Sequence, residues 1–214
     1  MPRFLFELNI AALAIALITS MTLLVSPPAK SQIDKNNATF NEAIQAVRDK
    51  DFRHAAKLFL LQAENDQHDA QYNLALLLEA GKGIPQNFAK ALIWAWSAQL
   101  GGIEAAEELA EDLSDNIPQK SIEEVRKAVH ARLQARIEAG SPDAVSQFAT
   151  FHLQLLEEPD YETAYIWFSI SAALGLDGAL EARDNARDNV DDEKITDLQS
   201  EAGMIYENLN ISLD

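Results

Sequence analysis

Beyond residue 37 the apolar positions of this chain recur at helical spacing. Phe40, Ala43, Ile44 and Val47 fall 3, 4 and 7 residues from the first, which is one stripe of a helix. Asp51 then opens a second helix carrying Ala55, Leu58, Phe59, Gln62 and Ala63. A third runs over 69–79 with Ala70, Leu74, Leu77 and Leu78, and Gly81, Lys82 and Gly83 stop it. A glycine just past a helix end supplies the left-handed residue that closes the last turn. Asn87 opens a further helix that reaches Leu100, and Gly101 with Gly102 ends it. No five-residue stretch of the body reads better as strand than as helix, so the expectation is an all-α protein.

The helices repeat. An Asp or Asn precedes an Ala by four residues, and a second Ala follows fifteen later, three times: Asp51, Ala55 and Ala70; Asn87, Ala91 and Ala106; Asp160, Ala164 and Ala179. A longer period overlies this one. Ala70 matches Ala144 at 74 residues; past the 81–85 turn the offset is 73, pairing Ala91 with Ala164, Trp94 with Trp167, Gly102 with Gly175 and Ala106 with Ala179. It continues through Ile122 and Ile195, Val125 and Leu198, Val129 and Ala202, Leu133 and Tyr206. The predicted organisation is a leading hairpin at 38–64 followed by four-helix units at 69–139 and 143–210. Small residues at Ala70, Ala106, Ala144 and Ala179 let consecutive helices approach closely, which predicts a solenoid of stacked hairpins.

The residues that carry this pattern resemble a known repeat. Ala70, Leu74, Ala75, Gly81, Gly83, Ile84, Asn87, Lys90, Ala91, Trp94, Gly102 and Ala106 stand in the register of the Sel-one-like repeat (SLR), a relative of the tetratricopeptide repeat. Ala144, Phe148, Asp160, Ala164, Trp167, Phe168, Ala172, Gly175 and Ala179 form a second copy. That copy has Leu155, Leu156, Glu157 and Glu158 in place of the Gly-x-Gly turn, and His152 where the family has Tyr. The resemblance spans roughly 38–210 and implies an α/α superhelical solenoid with a scaffold or adaptor role. Exported bacterial members often serve in envelope assembly or regulate sensors and secretion, and no catalytic residues are shared across the family.

The first 31 residues read differently. Residues 10–25 are apolar except for Thr19, Ser20 and Thr22; Arg3 precedes them, and Ser26, Pro27 and Pro28 break the run. Ala29, Lys30 and Ser31 then offer small residues at the two positions a signal peptidase reads, with cleavage before Gln32. A spanning helix needs about 20 apolar residues, so this run is slightly short for an anchor. The expectation is a cleaved signal peptide over 1–31, with an uncleaved inner-membrane anchor as the alternative, and a polar linker at 32–37. Either way the body is expected in the periplasm or secreted.

Charge narrows the partners. The formal net charge is −17. Without residues 1–31, which hold two basic residues and one acid, the body carries −18 over 183 residues. Nucleic acid and anionic membrane surfaces repel such a body, while a basic protein or peptide suits it. Contact with a membrane is expected only through the N-terminal segment, if it is retained.

The chemical motifs point away from catalysis. The chain has no cysteine, so neither disulfide nor thiolate chemistry is available. His54, His68, His130 and His152 are too far apart for any two to form a zinc pair on one helix. The 81–83 glycines lack the frame of a phosphate loop, and the acids of 184–193 lack the alternation and central glycine of a calcium loop. No Gly-x-Ser-x-Gly elbow is present. No enzyme activity, metal or cofactor is therefore expected. Trp94 and Trp167 are assigned to the core. The candidate binding residues lie off the main stripe or at positions the repeat leaves variable: Tyr72, Asn73, Leu76, Trp96, Gln147 and Phe151. The functional expectation is a scaffold or adaptor that binds an envelope protein. The alternative is a carbohydrate-binding module for cell-wall or exported polysaccharide, in which Tyr72 and Trp96 would stack on sugar rings.

Overall fold

A computed structural model of the chain describes residues 29–211. Among these are ten α-helices, one 3-10 turn and no strand: α1 (Ala29–Arg48), α2 (Phe52–Glu64), α3 (His68–Ala80), α4 (Phe88–Leu100), α5 (Ala105–Asp115), α6 (Gln119–Glu138), α7 (Pro142–Gln154), α8 (Tyr161–Ala173), α9 (Ala179–Arg187) and, after the short turn at Asp192–Lys194, α10 (Ile195–Asn208). The protein is an all-α helical repeat solenoid.

The recurring Asp/Asn and Ala positions acquire a physical meaning here. Asp51 accepts a hydrogen bond from the His54 amide at 3.1 Å, Asn87 from that of Lys90 at 2.9 Å and Asp160 from that of Thr163 at 3.0 Å. Each cap satisfies one of the amides that the first helical turn leaves without an intrahelical partner. The Ala four residues on (Ala55, Ala91, Ala164) is fully buried in all three copies. So, within a few per cent, are Ala70, Ala106 and Ala179. The motif is therefore a helix start coupled to two points of close helix approach.

Packing follows the chain with two branch points. α1 lies on α2, α2 on α3, and α3 on α4. α4 carries both α5 and α6, α6 passes the stack to α7, and α8 again carries both α9 and α10. The buried apolar residues form one core from Ala43 on α1 to Ala202 on α10. This departs from a uniform ladder of hairpins: α5 rests chiefly on α4, and α9 on α8. Each is short and buries one narrow stripe, such as Ala106, Leu109, Ala110 and Leu113 on α5, which a single neighbour can cover.

The linker expected at 32–37 is instead helical, because α1 begins at Ala29. No Pro or Gly occurs between Pro28 and Arg48, so nothing in the sequence breaks the helix. The leader expected at 1–31 lies outside the described residues except for its last three, which open α1. Among the described residues no helix is long and apolar enough to cross a membrane.

The turns that enter α4 and α8 decide how the units join. Gly81, at φ 64°, ends α3 in the left-handed conformation. Gly83, at φ 75°, is pressed against α2: a Cβ there would meet the Phe52 carbonyl oxygen at 2.1 Å. Lys82 reaches over the Phe52 ring, its ammonium 5.5 Å from the centroid. The second unit has no such glycines, yet its turn also docks on the preceding helix, where Arg126 Nε of α6 donates to the Leu155 carbonyl at 2.7 Å.

Candidate interaction surfaces

The six candidate residues divide evenly. Tyr72, Asn73 and Leu76 lie half-buried along one side of α3, with Asn73 donating to the Asp69 carbonyl at 2.8 Å. Trp96, Gln147 and Phe151 are buried at 7%, 7% and 1% exposure, and this corrects their assignment to an open binding face. Phe151 packs against His130 and His152, with ring centroids 5.5 Å away in each case. Gln147 is held in a polar junction between helices. Trp96 forms the floor of a groove between α4, α5 and α6. Its burial leaves it no free face for a sugar ring, which removes the main support for the carbohydrate reading.

The polar junction went unseen in the sequence. Asp66, in a left-handed conformation at φ 60°, turns the chain between α2 and α3. Its carboxylate receives Arg132 Nη2 at 2.6 Å and Arg136 Nε at 2.7 Å, both from α6. Arg132 also donates to the Ala63 carbonyl at 2.9 Å and lies 4.9 Å over the Trp94 ring. Arg136 donates to the Gln147 side-chain carbonyl, whose amide contacts His68 Nε2 at 3.3 Å. His68 Nδ1 meets Gln71 Oε1 at 3.0 Å, and Gln71 donates back to the Ala63 carbonyl at 3.2 Å. Burial lowers the pKa of the Arg136 guanidinium, and Asp66 opposes that effect. The chain of contacts ties the α2–α3 turn to α6 and α7. A clue was available: Arg132 and Arg136 stand one turn apart on α6 in an otherwise acidic protein.

Where α6 meets α7, an aromatic cluster encloses two histidines. His130 lies 4.9 Å from Phe148, and His152 lies 4.8 Å from the same ring (all centroid to centroid). Burial pushes both pKa values below the usual histidine range. Asp160, whose Oδ2 is 3.4 Å from His152 Nδ1, pulls the His152 value back up, while His130 adds to the lowering. Burial would raise the Asp160 carboxyl itself, but hydrogen bonds from Thr163 and the proximity of His152 outweigh it and hold the pKa low.

The two units present matching grooves. One, of about 460 Å³, runs between α4, α5 and α6 and includes Trp96, Gln99, Glu107, Glu111 and Arg126. The other, of about 510 Å³, runs between α8, α9 and α10 and includes Tyr165, Ser169, Arg183, Arg187, Gln199 and Tyr206. At the 73-residue offset, Ser169 replaces Trp96, Gln199 replaces Arg126, and Arg183 and Arg187 replace Ala110 and Ser114. Leu155 and Leu156 from the following hairpin also line the first groove.

This architecture of capped, close-packed hairpins defines a helical repeat protein. The chain carries Sel1 repeats: the Sel1 repeat family matches residues 68–95 and 151–176, which cover α3 into α4 and the end of α7 through α8. Among solved structures, the chain is similar to that of c5321, described as a protective antigen present in uropathogenic Escherichia coli strains and displaying an SLR fold. Identity is 17% and the TM-score 0.37, over 86% of this chain and 35% of that one. The chain thus spans about a third of the length of that protein. No curated protein matches it. Sel1 repeat proteins generally mediate protein–protein interactions, on a fold that is typically a non-catalytic scaffold.

Proposed function

We propose that this protein is an exported scaffold that binds another protein in the bacterial envelope, in an assembly or regulatory role. One observation carries the reading: at the α4–α5–α6 groove a helical unit already seats a chain segment, the turn at Leu155 and Leu156, which lines the groove and accepts a hydrogen bond from the Arg126 side chain at the Leu155 carbonyl. A surface that recognises a turn of its own chain has the means to recognise one from elsewhere. The half-exposed Tyr72, Asn73 and Leu76 on α3 offer a second contact face, and the net charge of −17 favours a basic partner there. The apolar run at 10–25 and the small residues before Gln32 support export.

Photoreactive residues placed at Tyr72 and Leu76 of the full-length protein, expressed in its host, test this. Discrete protein adducts in the envelope fraction are expected. Adducts to glycan alone, or none under several growth conditions, would overturn the scaffold reading. N-terminal sequencing of the same material tests export: a start at Gln32, or an intact leader in the membrane fraction, agrees with it, and an intact chain in the cytoplasm does not.

A further inference from the structure

Three helices of this chain hold one equivalent place: α2, α6 and α10. Phe52 on α2 corresponds to Arg126 on α6 at 74 residues, and Arg126 to Gln199 on α10 at 73. The first two carry the turn of the next hairpin, Gly83 against the Phe52 carbonyl and Leu155 on the Arg126 guanidinium. Among the described residues no hairpin follows α10. Its seat, the α8–α9–α10 groove, is open, and Gln199 turns inward to donate to Tyr165 Oη at 3.2 Å. On α6 the outer face lies under α7, with His130 packed among Phe148, Phe151 and His152. On α10 the matching position is Gly203, where a Cβ would meet nothing within 4 Å. Met204 beside it is 61% exposed, and with Ile205 and Leu209 it lines an apolar hollow of about 380 Å³.

We propose that the α8–α9–α10 groove and the adjoining face of α10 bind a helix–turn segment of another protein. Its helix brings aromatic or aliphatic residues over Gly203, and its turn brings an aliphatic pair followed by carboxylates. This names a site and a partner chemistry for the scaffold role above and rests on that role.

The internal template supplies the shape, since residues 142–158 are such a segment and cover the same place on α6. Charge supplies the carboxylates. The lining of the first groove holds Glu107, Glu111 and Asp115 against Arg126, whereas that of the open groove holds Arg183 and Arg187 against Asp184. The two arginines currently pair with Asp184 at 2.7 Å and Asp192 at 2.8 Å. Asp184 and Asp192 are largely solvent-exposed while Arg183 and Arg187 are partly so, and ion pairs open to water contribute so little that exchanging them for an incoming carboxylate costs little. A second copy of this chain fits the seat poorly. Its α3–α4 and α7–α8 turns already occupy their own α2 and α6. Its leading hairpin is joined only by Asp49, Lys50 and Asp51, a connection about half the length of the turns at 81–87 and 155–160. Such head-to-tail stacking would also propagate without closing.

The test uses a fluorescein-labelled synthetic peptide of residues 140–160 and the purified full-length chain, read by anisotropy. Saturable binding is expected. Gly203→Leu fills the open space at a helical position without strain; it should leave the melting temperature unchanged or higher and weaken binding by at least about tenfold. The double variant Arg183→Glu/Arg187→Glu should weaken the parent peptide and favour one carrying Glu157→Lys and Glu158→Lys. No saturation by ~1 mM peptide, or binding indifferent to Gly203→Leu, overturns the proposal. So does a concentration-dependent dimer in light scattering that Gly203→Leu dissolves, because the occupant would then be a second copy. Adducts formed through Tyr72 would meanwhile keep the scaffold reading alive, so the two can fail separately.

Discussion

The two four-helix units share a backbone plan and differ in what their third and fourth helices face. In α3–α6, Trp96 fills the floor, Arg126 grips a neighbouring turn and His130 is enclosed by aromatic rings. In α7–α10, the equivalent residues are Ser169, Gln199 and Gly203, and the space stays open. Among the described residues, the unit packed on both sides has large, anchoring side chains, and the unit packed on one side has small ones. At these three positions the difference is one of side-chain volume, set on helices that share an equivalent cap, Asn87 or Asp160, and matched buried alanines.

The largest expected effect separates the two floors. Trp96→Ala removes a buried indole and should cost about 3–5 kcal/mol of stability, as loss of a core aromatic does. Ser169→Ala, at the same place in the other unit, removes only a hydroxyl that donates to the Tyr165 carbonyl within its own helix and should change stability by less than about 0.5 kcal/mol. Urea denaturation of both variants decides it, and equal shifts would mean the floors are alike.

The next effect concerns the junction that only the first unit possesses. Asp66→Ala leaves Arg132 and Arg136 without their shared carboxylate. Removing one partner of a buried pair costs about 3–5 kcal/mol, and the partial exposure of these groups reduces that to about 2 kcal/mol. In the second unit Ile205 and Leu209 stand where the two arginines do, so no counterpart exists there. A variant as stable as the parent protein would show that the junction contributes orientation alone.

A smaller effect is pH-dependent. His130 and His152 have folded pKa values below the ordinary 6.5, so the unfolded chain binds their protons more readily. Stability should therefore be full above about 6.5 and fall as the pH drops through that value towards the folded pKa values. Asp160 acts in the same direction but only near and below its ordinary 3.8. Melting temperatures measured between neutral and mildly acidic pH should decline, and His152→Tyr should flatten the decline. A slope unchanged by that substitution would assign it to other groups.

Much of the fold was legible because it depends on local rules. Asp51, Asn87 and Asp160 act as caps, and Ala70, Ala106, Ala144 and Ala179 are close contacts, which is how their spacing reads. What failed depended on neighbours distant in sequence. Trp96 was assigned to a contact surface because its repeat position is variable, yet α5 and the turn at Leu155 bury it. Gln147 looked like a polar surface residue until Arg136 and His68 were brought to it from 11 and 79 residues away. Helix periodicity places a residue on a face; it does not say which other face arrives there.

Gly203 is where the comparison is finest. A glycine inside a helix is less favourable than alanine by roughly 0.8–1 kcal/mol, through backbone freedom that the unfolded chain keeps. Among the described residues nothing near Gly203 requires its small size, since a Cβ would meet no atom within 4 Å. Gly203→Ala should therefore raise stability by up to about 1 kcal/mol. His130→Ala, its partner position, improves helix propensity by a similar chemical logic but loses ring contacts to Phe148 and Phe151, each worth roughly 0.5–1.5 kcal/mol, and should be neutral or destabilising. Opposite signs from substitutions to the same residue at matched positions would mean that one site is used by the fold and the other is held open. Two gains of the same sign would remove that distinction, and with it the reason for regarding the C-terminal groove as a seat.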